Sequence, residues 1–395
     1  MVLCRVCGAE LTRTFLDLGE QPLANAYLDT QDQPEARYPL HARVCDSCLL
    51  VQADAVVAPE GIFNDYAFFS SYSQSWVEHT RQYATAMTER FDLDDGSFIV
   101  EVASNDGCLL SQFSGPVVLG VEPAENVAHV ARMNGVPTLT EFFGAGLALP
   151  PADLMVANNV MGHVPDLNGF VDGFRKTLKP EGVLTIEVPW LLHLIERCEF
   201  DTIYHEHFSY FSFEAIEQVL ARHQLRVFDV ERLDVHGGSL RVFVCHIDAA
   251  HAETRAPGEI RSLEEKAGLW SSDSAAYRDF GVRVRDRLGE LRAFLQGAES
   301  VVGAGAPAKG NTLLNALGAD RDTLRFVTDV SPHKQGRFLP GSRIPIVEPA
   351  RIDEVCPEFV LVLAWNWLDE VMASFPQVAG WGGRFVVPIP EVRIV

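Results

Sequence analysis

The stretch Phe98-Ile-Val-Glu-Val-Ala-Ser-Asn-Asp-Gly-Cys-Leu-Leu110 limits the fold more than any other part of the chain. Its apolar start suits a strand buried on both faces of a parallel sheet, where near-continuous hydrophobic runs replace alternation. The chain then enters a small polar turn, Ala103 to Gly107, followed by helix-forming residues. A second short strand, Val117 to Val121, is closed by Glu122 and Pro123. Strand, tight turn, helix, strand and acid is the order of a Rossmann-type nucleotide unit. Small turn residues let the backbone approach a ligand, and a terminal carboxylate accepts hydrogen bonds from ribose hydroxyls. The three-glycine pattern of a dinucleotide site is missing, and Glu101 stands just before the turn.

A chain of 395 residues predicts two or three domains. We read residues 1–72 as an N-terminal module, 73–255 as the central unit and 256–395 as a C-terminal Rossmann-like unit. The net charge of −22 disfavours nucleic acid and anionic membrane surfaces as partners. No apolar run approaches the roughly 20 residues of a membrane span, and no secretory leader is evident. A cytoplasmic location follows as the expectation. Eight cysteines in a reducing compartment then need a reason other than disulfides.

Four of them stand as Cys4-x-x-Cys7 and Cys45-x-x-Cys48. Two matched pairs supply the four thiolates of a closed tetrahedral zinc site, which leaves no position for water and is therefore structural. The stretch after them, Asp65 to Trp76, is dense in aromatics and hydroxyls, and Tyr66 and Tyr72 are its candidate substrate-facing phenols.

Further along, Phe142 follows a third short strand, and Asn158, Asn159 and His163 lie at the exit of a fourth. Carboxyl ends of strands line the ligand crevice of open α/β sheets. Tyr204, His205, Glu206 and His207 form the densest group of titratable residues, and a helical backbone there would put Tyr204 and His207 on one face. The segment Val235-His-Gly-Gly-Ser-Leu-Arg241 enters a strand, with His236, Ser239 and Arg241 as candidate cavity residues. The charged stretch Pro257 to Gly297 reads as a helical connector with Glu264 among its solvated residues. The C-terminal third adds a second strand-turn-helix unit, with Lys309 at a helix start suited to a phosphate. Asp329, Lys334 and Arg337 gather at a strand end, and Asn366 follows a later strand.

Glu101-x-Ala103-x-x-x-Gly107 resembles motif I of class I S-adenosylmethionine (SAM) methyltransferases, in which alanine replaces the usual glycine. A sulfonium ligand makes electrostatic sense of an acidic loop. The whole chain, in order, resembles the SAM-dependent sugar C-methyltransferases of deoxysugar and antibiotic pathways. The resemblance implies an α/β fold with a zinc-binding N-terminal module, a central methyltransferase domain and a C-terminal Rossmann-like domain. It implies SAM held by Glu101, Ala103, Asn105, Asp106, Gly107, Glu122, Pro123, Phe142, Asn158 and Asn159. It places Tyr66 or Tyr72, His163, Tyr204, Glu206 and His207 around the sugar. His207 is then the base that makes a carbon beside a ketone nucleophilic, oriented by Glu206, with Tyr204 or His163 toward the enolate oxygen. The expected partner is a nucleotide-diphosphate sugar, thymidine-linked and methylated at C-3. Its diphosphate would meet Lys309, Lys334 and Arg337, on a monomer or weak homo-oligomer. An NAD-dependent sugar oxidoreductase or epimerase, a sugar N-methyltransferase and a non-catalytic zinc protein are the alternatives.

Overall fold

The computed structural model describes residues 1–54, 56–57 and 69–395. Three sheets are formed among the described residues. Strands β1 (Arg13–Pro22), β2 (Arg37–Val44) and β3 (Val51–Ala53) are antiparallel neighbours. The central sheet is built from β4 (Phe98–Val102), β5 (Val117–Val121), β6 (Thr138–Leu139), β7 (Ala152–Asn158) and β8 (Leu178–Pro189), all parallel. The chain then leaves as β9 (Ser209–Tyr210), which pairs with β3, before β10 (Leu225–Leu233) and β11 (Ser239–His246) complete the seven-stranded order β10-β11-β8-β7-β4-β5-β6. In this sheet β11 alone runs antiparallel to its neighbours. The third sheet holds β12 (Val301–Ala304), β13 (Val327–Thr328), β14 (Ile346–Val347), β15 (Phe359–Val362), β16 (Arg384–Val387) and β17 (Arg393–Ile394), parallel except at the β17 edge.

The parallel strands are apolar because helices or other layers cover both faces. Ile99, Val100, Leu154, Met155, Val156, Leu184 and Ile186 are fully buried. One hydrophobic cluster runs from Cys4 through the central sheet to Ile389, so the three sheets share a continuous core. The entry helix Gln74–Arg90 starts where Ser73 Oγ accepts the Trp76 N–H at 3.3 Å, a normal N-cap.

The structure departs from the sequence reading at four places. The segment between Gly107 and β5 holds only a 3₁₀ turn, Leu110–Gln112, because Gly115 and Pro116 end it before a helix can form. Residues 200–211 are not helical: a 3₁₀ turn, Phe200–Thr202, leads through turns into β9. Pairing of β9 with β3 draws that backbone into the N-terminal sheet, which therefore is not closed within residues 1–72. Finally, Glu264 is fully buried, where it accepts Trp190 Nε1–H at 2.6 Å and the Phe213 and Glu214 N–H groups at 2.6 and 3.1 Å. It satisfies the open donors at the start of helix Phe213–Ala221.

Candidate active site

The turn after β4 is tight enough that its backbone turns left-handed three times, at Ala103 (φ 57°), Asn105 (φ 51°) and Gly107 (φ 78°). Ala103 therefore carries its methyl in a glycine-favouring region, at a cost of roughly 1–2 kcal/mol. Glu122 braces the turn from β5, accepting Asn105 N–H at 3.0 Å and Ala124 N–H at 2.9 Å. A side chain at Gly107 (φ 78°) would meet Val136 at 2.9 Å, so that position needs glycine for space as well as conformation. We expect Ala103→Gly to leave the melting temperature unchanged or raised, and Ala103→Val to lower it. A marked fall on the glycine substitution would contradict a left-handed turn.

Around this turn lie buried polar atoms that lack a hydrogen-bond partner among the described residues: Glu101 Oε2, Ser104 Oγ, and both side-chain heteroatoms of Asn158 and of Asn159. Natural interiors seldom leave such groups unsatisfied, so this ring fits a polar ligand. Burial, with Glu122, Asp106 and Glu187 nearby, pushes the Glu101 carboxyl well above its usual range. A bound cation would favour its ionised form, and SAM carries one. Asn159 is itself left-handed (φ 54°), which throws the chain from β7 sharply into the turn Met161–His163. Phe142 is exposed beyond β6, where a planar base could stack. Ser70 and Ser71 donate backbone N–H groups to Asn105 Oδ1 and Asp106 Oδ2, at 2.9 and 3.0 Å, and so dock the aromatic loop against the same turn.

The β7 exit turn also reaches the titratable group of residues 204–207. His163 Nδ1 donates to the Glu206 carbonyl at 2.9 Å, and its ring lies 4.7 Å from that of His207. His207 Nδ1 donates to the Thr202 carbonyl at 2.7 Å, and its ring lies 4.0 Å from Tyr204. These bonds make Nδ1 of each ring a donor, so that in the neutral form Nε2 is the basic atom. Burial pushes the His163 imidazolium down to about 4, so it is neutral near pH 7. Tyr204 and His207 thus meet across a turn rather than on a helix face. Glu206 does not orient His207 as expected: both its oxygens take bonds from Asn25 Nδ2, each at 2.8 Å. Burial pushes this carboxyl up to about 7. His205 points away, with Nε2 toward the Pro39 carbonyl.

Other expected contacts are not made. Tyr72 is 78% exposed and stacks on Phe69, so its phenol faces solvent rather than a sugar. Tyr66 and the His236 side chain lie outside the described residues. Ser239 is buried and donates to the Val235 carbonyl. Arg241 is buried, and cross-strand register puts it between Glu231 on β10 and Glu187 on β8. It bonds them at 2.9 and 2.5 Å, and opposite charges directly across a sheet attract. His79 Nε2 meets Glu187 from the other side at 3.1 Å. The cations expected for a diphosphate each face an acid. Lys309 packs on Trp365 in the field of Asp201 and Glu199, Lys334 lies 3.4 Å from Asp329, and Arg337 lies 3.1 Å from Asp29. Asn366 is half-buried beside Trp365, whose indole donates to Asp201 at 2.7 Å.

The thiols of Cys4, Cys7, Cys45 and Cys48 all lie within 4.8 Å of one another. Four sulfurs converging in a largely buried site fit one tetrahedral zinc ion, and Gln52 Nε2 supports Cys4 Sγ at 3.2 Å. Next to Cys4, Arg5 donates to the Phe208 and Ala53 carbonyls and to Ser209 Oγ. Phe208 N–H in turn donates to the Gly162 carbonyl at 2.7 Å. The metal site is thereby joined to the backbone immediately after His207.

Sequence reading passed over Asn25, Arg5, His79 and Glu187. Glu187 was detectable as a lone acid in the apolar strand Leu184-Thr-Ile-Glu-Val188. Asn25 and Arg5 carried no local signal, since their partners lie far along the chain.

Comparison with known proteins gives three family matches. A zinc binding domain matches residues 4–63, a methyltransferase domain 76–230, and a C-methyltransferase C-terminal domain 234–390. C-methyltransferase NovU of Streptomyces niveus is 37% identical over 99% of this chain and 96% of its own. Among solved structures, magnesium protoporphyrin IX methyltransferase of Synechocystis with bound SAM covers 49% of this chain and 99% of its own, at 13% identity and TM-score 0.37. A SAM-dependent methyltransferase of Clostridium acetobutylicum covers 43% of this chain and 92% of its own, at 12% identity and TM-score 0.35.

Proposed function

The chain belongs to the SAM-dependent C-methyltransferases, and from that premise we propose that its acceptor is the carbon beside the ketone of a nucleotide-linked deoxysugar. We take this to be C-3 of a thymidine-diphosphate 4-keto sugar. The observation that carries the reading is the pair of imidazoles His163 and His207: their rings lie 4.7 Å apart, His163 stands on the β7 exit turn with Asn158 and Asn159, and His207 lies 4.0 Å from Tyr204. An amine already owns a lone pair, whereas a carbon acceptor needs a base to create one. A cluster rich in basic nitrogen suits carbon.

SAM, when bound, supplies an electrophilic methyl group. Glu122 would accept its ribose hydroxyls, Phe142 would cover the adenine, and the turn Glu101 to Gly107 with Asn158 and Asn159 would hold the methionine end. His207 Nε2 takes the proton from the ring carbon, and its Nδ1–H bond to Thr202 keeps the ring oriented through the transfer. The neutral His163 ring commits its one N–H to Glu206, so it offers no donor at Nε2. The developing enolate oxygen therefore falls to the Tyr204 hydroxyl. The nucleotide would lie against the C-terminal unit. Of Lys309, Lys334 and Arg337, Arg337 is the most accessible, at 46% exposed in its pair with Asp29.

Glu122→Ala tests the cofactor half. Two buried backbone donors lose their acceptor along with the ribose contact, and each unsatisfied donor costs about 1–3 kcal/mol. Titration should show SAM affinity falling by at least tenfold while sugar-nucleotide affinity holds. An equal loss of both ligands would count against the assignment. The acceptor is tested by feeding a panel of keto-sugar nucleotides with SAM and weighing the products.

A further inference from the structure

We propose that Asn25 is a positioning residue for methyl transfer: carried on a strap anchored to the C-terminal unit, it orients the Glu206 carboxyl and favours its ionised form. The proposal rests on the reading that Glu206 belongs to the methyl-transfer site.

The strap is the segment after β1. Pro22-Leu-Ala-Asn25 leaves the N-terminal sheet and crosses to the third sheet. There the Ala24 carbonyl accepts Asn311 Nδ2–H at 3.1 Å, and Tyr27 OH donates to the Ala306 carbonyl at 2.7 Å. Leu28 exchanges backbone bonds with Phe338 at 2.9 and 2.8 Å. Asn25 sits between the first two anchors and turns the other way, onto Glu206 of the central unit. One amide nitrogen at 2.8 Å from both carboxylate oxygens fixes the plane of a group that is 6% exposed. No other hydrogen bond from a described residue reaches that carboxylate.

The charge environment makes this contact consequential. Burial favours the protonated form of Glu206, and the Asn25 amide favours the ionised form. The titratable groups around it are Tyr204, His205 and His207 on its own turn, His163 from the β7 exit, and Tyr27 from the strap, with Asp329 and Lys334 beyond Tyr27. Tyr27 is pushed upward by burial, Asp329 and Glu206, so it is neutral and does not help ionise the carboxylate. An ionised Glu206 on the same turn as His207 would favour the imidazolium formed when a proton is taken.

The experiment is the pH profile of kcat/KM for the zinc-loaded full chain, using the keto-sugar nucleotide and SAM. It compares wild type, Asn25→Ala, Asn25→Asp and Glu206→Gln. Loss of one hydrogen bond to a charged group should move the acid limb up by about one to two pH units in Asn25→Ala. Asn25→Asp should move it at least as far, since a second carboxylate beside Glu206 disfavours its charge. Glu206→Gln should remove the Glu206 contribution to that limb, leaving the one from His207, and should remove most of the activity. A merely structural Asn25 would lower activity equally at every pH. An unmoved limb in both Asn25 variants, with Glu206→Gln still inactive, overturns the proposal and leaves the site reading standing. Full activity in Glu206→Gln overturns both.

Discussion

Replacing His207 with asparagine is expected to lower methyl transfer by about 10²–10⁴, the usual cost of losing a general base. Asparagine keeps a donor for the Thr202 carbonyl, so the turn should hold and both ligands should still bind. The affected step can be isolated, because enolisation exchanges the ring proton for solvent deuterium without SAM. The His207→Asn protein should fail to exchange. His163→Asn should cost less, since His163 braces the Glu206 carbonyl and offers no donor to the enolate. Exchange at the wild-type rate in the His207 variant, with none in the His163 variant, would assign the base to His163.

The second large effect concerns the metal. Zinc holds no reacting atom in this account, yet removing it should abolish activity. The four cysteines close the knuckle whose Arg5 clamps Phe208 and Ser209, and β3 pairs with β9 just after His207. Structural zinc contributes on the order of 10–16 kcal/mol in finger peptides, so its loss should release this clamp. Cys45→Ser or chelation should lower the melting temperature and eliminate turnover together. SAM affinity should survive, because Glu101, Glu122 and Asn158 ride on the central sheet. Wild-type turnover by metal-free protein would show that the N-terminal module has no hold on the catalytic turn.

The parts of the fold legible in sequence were those made by local pattern. The apolar run of β4, the acid closing β5 and the two Cys-x-x-Cys pairs each carry their meaning within a few residues. Contacts that join distant segments were not legible. Tyr204 and His207 do meet, but through a turn created by β9 pairing with β3, a long-range partnership that no helical period announces. Arg241 looked like a cavity residue because nothing near it in sequence shows that Glu187 and Glu231 fall beside it in register. Glu264 read as solvated for the same reason: its partners, Trp190 and Phe213, are more than 50 residues away. Lys309 and Lys334 suggested a phosphate site from a helix start and a strand end. The acids facing them come from a different unit in one case, Asp201 and Glu199, and from the strand end itself in the other, Asp329. Asn25 is the plainest example, since its role depends on Glu206, 181 residues later.

The central claim is carbon methylation of a keto-sugar nucleotide, and the direct measurement uses SAM labelled with ¹³C in its methyl group. The zinc-loaded protein is incubated with a thymidine-diphosphate 4-keto-deoxysugar, and the product is read by carbon–proton correlation spectra. One labelled methyl is expected, correlated to a ring carbon beside the ketone, with the proton of that carbon gone. A label on nitrogen or oxygen, or no label in protein shown to bind both ligands, would contradict the claim.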